Sequence, residues 1–87
     1  MITVEKLKVF EKYRGDDDRF TRASKKELAI LSEDEFYTIR RLISDLKLIG
    51  NGVAAASYEA QVFEQINNLV DNNQAKEYLL RLSKTLS

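Results

Sequence analysis

From Val4 to Leu86 the apolar residues of this chain recur every third or fourth position, and no stretch of useful length alternates in two-residue steps. That spacing places the apolar side chains on one face of a helix rather than on one face of a sheet. Proline is absent. The only glycines, Gly15, Gly50 and Gly52, fall where a periodic pattern stops, as residues that can adopt the left-handed conformation at a helix end. The pattern predicts an all-α protein, folded as a compact bundle of four main helices plus one or two short ones, over a single domain spanning residues 1–87.

The first helix is expected over about residues 3–14, with Val4, Leu7 and Phe10 on its stripe, Val9 and Tyr13 beside it, and Gly15 ending it. Asp18 is expected to cap a short helix at 19–23 and to pair with Arg22. Two capping boxes follow, Ser24 with Glu27 and Ser32 with Glu35. In each, the serine oxygen takes the backbone N–H three residues on and the glutamate returns the bond. Around the second box, Leu31 and Phe36 occupy the two positions of a hydrophobic staple. It starts a long helix whose buried face is Phe36, Ile39, Leu42, Ile43, Leu46 and Ile49, running to Gly50-Asn51-Gly52. Tyr58, Val62, Phe63, Ile66, Leu69 and Val70 mark the next helix, with Ser57 as its cap. Asp71-Asn72-Asn73 breaks the pattern, and Ala75, Tyr78, Leu79, Leu82 and Leu86 give a last helix, on which Glu77 and Arg81 hold the favourable i,i+4 order. The expected core is Leu7, Phe10, Leu28, Phe36, Ile39, Ile43, Leu46, Val62, Ile66, Leu69, Leu79 and Leu82.

Composition narrows the function classes. Lysine and arginine number 14, aspartate and glutamate 14, so no net field draws the chain to nucleic acid or to an acidic membrane. The chain has no cysteine and no histidine. This removes disulfides, thiolate metal sites, the commonest metal ligand and the side chain best suited to proton transfer near neutral pH. No glycine-rich phosphate loop is present, and Glu33 and Glu35 have a simpler role in the first turn of a helix, where acids complement the helix dipole. No catalytic, cofactor-binding or metal-binding residue is therefore assigned, no cofactor is expected, and the chain reads as non-enzymatic. The start MITVEKLK is charged by its fifth residue and lacks an apolar core, and no apolar run approaches a membrane span, so the expected setting is soluble and cytoplasmic, with no membrane partner.

The stretch YRGDDDRF at 13–20 invites two sharper readings. Arg14-Gly15-Asp16 is an adhesion-like tripeptide, but nothing places the chain outside a cell. Asp16, Asp17 and Asp18 form an acidic run, but an EF-hand loop alternates its ligands and carries a glycine at its sixth position, where this chain has Thr21. The stretch reads as a helix junction whose exposed acids are available to a partner. On the long helix, Tyr37 lies beside Arg40 and Arg41, residue types enriched in protein interfaces. Asp16, Asp17, Asp18, Tyr37, Arg40 and Arg41 are thus the candidate partner-binding residues.

Residues 27–50 resemble a helix-turn-helix, with Glu27-Leu28-Ala29 as its first helix and Thr38-Ile39, Arg41, Ile43, Leu46 and Gly50 in the second. The usual apolar-Gly-apolar turn is replaced by Ser32, Glu33 and Asp34, which would set acids near the phosphates. DNA binding is the alternative function. The pairing of KYRGDDDRFTRASKKE with EDEFYTIRRLISDLKLIGNGVAAASYE, over residues 12–63, also resembles small uncharacterised all-helical bacterial proteins. In these, an aromatic-rich acidic helix start leads into a Leu-Ile-x-Asp-Leu-x-Leu-x-x-x-Gly helix. Some are associated with toxin–immunity loci, and the resemblance implies a cytoplasmic module that neutralises a toxin by binding it. This chain is neutral where many immunity proteins of nuclease toxins are acidic. A protein partner is the expectation, and a homodimer is open to a chain this short, because self-association would cover apolar surface.

Overall fold

A computed structural model describes residues 1–14 and 16–85. Among these residues the chain forms six helices: α1 (Val4–Tyr13), α2 (Asp17–Thr21), α3 (Lys25–Ile30), α4 (Glu33–Gly50), α5 (Ala56–Leu69) and α6 (Asn73–Thr85). The bundle is all-α, as the periodicity predicts. Its radius of gyration is 12.8 Å, against about 12 Å expected for a compact chain of this length.

Local chemistry sets the helix ends. At α1 the hydroxyl of Thr3 accepts from the N–H of Lys6, and at the other end Arg14 takes the left-handed conformation with φ 46°. Its N–H donates to the Phe10 carbonyl. The residue expected there, Gly15, lies outside the described residues. A left-handed arginine costs about 1 kcal/mol, which the closure of the helix end offsets in part. The cap of α2 is Asp16, which accepts from the N–H of Arg19, rather than the expected Asp18. Arg22 donates to the backbone carbonyl of Asp18, not to its carboxylate.

The two serine boxes behave differently. Ser32 and Glu35 form the full reciprocal box, and Leu31 and Phe36 of the staple are both fully buried. Ser24 caps α3, but Glu27 does not return the bond to the Ser24 N–H. Its carboxylate accepts from Tyr13 Oη at 2.7 Å and Lys12 Nζ at 2.9 Å, tying α3 to α1. Replacing Ser32 with alanine is expected to cost about 1 kcal/mol and to lower the melting temperature by roughly 4–8 °C; an unchanged melting curve would contradict this account of the start of α4.

α4 runs one residue into the expected stop. Gly50 is its last helical residue, and Gly52, with φ 72°, is the left-handed one. At α5 the expected cap Ser57 lies inside the helix, and Ala55 precedes it with no side-chain cap. Asn72 acts as the cap of α6, its side-chain oxygen accepting from the N–H of Ala75 at 2.9 Å. On α6, Arg81 stacks over the Tyr78 ring at 4.7 Å, and no ion pair joins it to Glu77 among the described residues. Leu86 lies outside the described residues.

α4 is the centre of the packing, lying against α6, α5 and α1, while α1 packs on α6, α3 and α2. Three rings fill the junction of α1, α2 and α4. Phe20 stacks on Phe36 at 4.2 Å between centroids, and Phe10 tilts against Phe36 at 4.9 Å. A five-residue helix has almost no intrinsic stability, so α2 is held by its one buried residue, Phe20. Of the expected core residues, Leu28 is half-buried and Leu69 is exposed, while Ile2, Val9, Tyr13, Leu31, Leu42, Val70 and Ala75 join Phe20 as buried residues outside that list. Ile2 and Val70 pair in an isolated parallel bridge: the Ile2 N–H donates to the Leu69 carbonyl at 2.7 Å, and the Asp71 N–H to the Ile2 carbonyl at 2.9 Å. This pins the N-terminal segment to the α5–α6 turn. Among the described residues, no helix is long and apolar enough to cross a membrane.

Candidate functional site

The residues expected to meet a partner are only partly brought together. Arg40 grips both carboxylate oxygens of Asp17, at 2.7 and 2.6 Å, so the start of α2 is clamped to the middle of α4. The pair is solvent-exposed, and such pairs contribute roughly 0.2–1 kcal/mol. Tyr37 stands one turn before Arg40, 48% exposed, with its ring edge-on to Phe36. Asp16 is engaged as a helix cap and Asp18 is exposed beside it. Arg41 turns away towards α5, donating to Gln65 at 3.1 Å. The Asp17–Arg40 pair cancels charge that a partner would otherwise meet. Among the described residues, no group of three or more acids converges to hold a metal ion.

A second surface is more open. α5 and α6 each pack on α4, but they make no comparable contact with one another. Along the last turns of α4 they leave a groove of about 640 Å³, with Leu46 and Ile49 of α4, Phe63 of α5 and Leu80 of α6 in its lining, and Lys47 and Lys84 among its polar residues. Leu46 is buried, but Phe63 is 38% and Leu80 36% exposed. Neither lysine takes part in an ion pair among the described residues, and no carboxylate lines the groove. The signal for this surface lies in the adjacent apolar pairs Val62-Phe63 and Leu79-Leu80. Neighbours on a helix point about 100° apart, so one member of each pair enters the core and the other stands at its edge. Val62 and Leu79 are the buried members.

The shifted titrations belong to the frame, not to the groove. Hydrogen bonds from Lys12 and Tyr13 hold the Glu27 carboxyl below the usual carboxylate value. For Glu35, burial pushes upward, but Lys6 and the Ser32 backbone together outweigh it and the net shift is downward. A carboxyl with a lowered folded pKa stabilises the fold above its unfolded pKa and loses that contribution as the pH falls. Tyr13, Tyr58 and Tyr78 donate to Glu27, Asp45 and Glu11, and these bonds, with burial, raise each phenol above 10.0. Their contribution is present below pH 10 and is lost as the pH rises beyond it. The melting temperature is expected to fall below about pH 5, and to fall less steeply in Glu27→Gln/Glu35→Gln. Equal acid slopes for both proteins would contradict these assignments.

No protein-family model, curated protein or solved structure matches the chain. The class that fold and surface define is a small all-α bundle with an open, carboxylate-free apolar groove.

Proposed function

We propose that this chain is a non-enzymatic protein-binding module that works in the cytoplasm. Following the resemblance of residues 12–63 to small bacterial helical proteins, its role is that of a toxin-neutralising protein of the immunity or antitoxin kind. The observation that carries the reading is the groove itself. Phe63 and Leu80 remain accessible to solvent beside Leu46 and Ile49, with Lys47 and Lys84 at the rim. Grooves between helices are suited to receiving a further helix.

The test is affinity capture from the source cells with wild-type protein and Phe63→Asp. Phe63 stands at the edge of the core, so the variant is expected to keep its helical spectrum while losing a specific partner by roughly 30-fold or more, the loss of a central interface residue. Equal capture by both proteins, or no specific partner together with a solitary gene, would contradict the reading. Binding to mixed-sequence duplex DNA that weakens steeply with salt would support the helix-turn-helix alternative instead.

A further inference from the structure

We infer that, in the free protein, the groove is covered by α5 of a second copy of this chain, in a two-fold symmetric dimer. The inference rests on the reading of the groove as a protein-binding surface and names its occupant. Both halves of the match lie on this one chain. On a helix advancing about 100° per residue, Ala56, Ala60, Phe63 and Asn67 fall within about 60° of one another, with Glu59 and Glu64 on either side of that stripe. All six are exposed. The stripe presents a large ring among small side chains, which allow a close approach by another helix. α5 contains no basic residue, and neither glutamate takes part in an ion pair among the described residues.

The groove presents the opposite charge. Lys47 and Lys84 stand in the last turns of α4 and α6. Each helix end carries about half a negative charge, so two ammonium groups leave the groove net positive. Phe63 belongs both to the groove and to the stripe, which is the condition a self-complementary interface requires: the same patch meets itself across the axis. In that arrangement Phe63 of each copy enters the other's groove, and Glu59 and Glu64 of one copy meet Lys47 and Lys84 of its partner. The symmetry makes every charge pair occur twice.

Analytical ultracentrifugation of three proteins tests this: wild type, Lys47→Glu/Lys84→Glu, and Glu59→Lys/Glu64→Lys. Wild type is expected to show a concentration-dependent monomer–dimer equilibrium. Each reversal replaces four attractions by four repulsions and is expected to weaken the dimer by roughly two to three orders of magnitude. Mixing the two variants juxtaposes opposite charges at both halves of the interface, so two monomeric proteins are expected to form a heterodimer. Lys47→Gln/Lys84→Gln, which spares the helix ends a reversed charge, serves where the reversal fails to fold, and is expected to weaken the dimer less. A wild-type chain that stays monomeric to millimolar concentration, or reversed variants that dimerise as wild type does, would overturn the inference. If such a monomer still retains a partner that Phe63→Asp loses, the second copy alone falls; if it retains none, the protein-binding reading falls with it.

Discussion

Phe36→Ala is expected to remove a large share of this protein's stability. Phe36 is fully buried in α4 and meets Phe20 of α2, Phe10 of α1 and the edge of Tyr37. Truncating a buried phenylalanine typically costs about 3–5 kcal/mol, part of it from the cavity left behind. A chain of this length has a total stability of roughly 4–13 kcal/mol, so one substitution removes a large share of it. The melting temperature should fall on the order of 20 °C. Because α2 is attached through Phe20, its five residues should lose helical order first, and Asp17 should part from Arg40. A melting curve within a few degrees of wild type would contradict this account of the three-ring junction of α1, α2 and α4.

Ile2→Ala carries the second large effect. Ile2 is buried, and its backbone makes two hydrogen bonds to the α5–α6 turn that no helix supplies. The substitution is expected to cost about 2–3 kcal/mol, the lower end of the range for such truncations, because a segment near the chain start can partly collapse into the space. The denaturation midpoint should fall with little change in slope. The amide of Asp71, which donates to the Ile2 carbonyl, should exchange with solvent faster than in wild type. Unchanged exchange at Asp71 would show that the bridge does not hold the turn.

These two sites differ in how far the sequence discloses them. Phe36 is legible twice, as a member of the periodic stripe of α4 and as the far half of a staple beginning at Leu31. Both signals are local, and local signals place most of the helices: Ser32 and Glu35 sit three residues apart, and Asp71-Asn72-Asn73 interrupts a repeat. Ile2 gives no such signal, because its partner Val70 is distant in sequence and a single bridge has no period. Phe20 lies in a helix too short to show a stripe, and its burial depends on the ring of Phe36 across the bundle.

The caps show the same division. Asp16 and Asp18 are equally good acceptors in isolation, and Asp16, whose N–H donates to the Tyr13 carbonyl, is the one that caps α2. Glu27 has the right spacing to complete its box, but Tyr13 and Lys12 lie close enough to claim its carboxylate. The candidate partner residues follow suit. Tyr37 and Arg40 share a helix face by spacing alone, whereas the clasp between Arg40 and Asp17, and the turn of Arg41 towards Gln65, come from packing. The groove lies between these cases. The doublets Val62-Phe63 and Leu79-Leu80 announce apolar surface in excess of one core face, but only the packing of α5 and α6 on α4 decides which members remain outside.

The groove is the central claim, and position-specific photo-crosslinking in living cells tests it most directly. Benzoylphenylalanine in place of Phe63 puts the reactive carbonyl in the groove with little change in bulk, and the same group in place of Tyr37 puts it on the exposed face of α4. Irradiation is predicted to give a discrete protein adduct from position 63, with the mass of two copies of the chain or of the chain with its partner, and none of comparable yield from position 37. Adducts from position 37 with none from position 63 would contradict the account and move the binding surface to the Tyr37–Arg40 face.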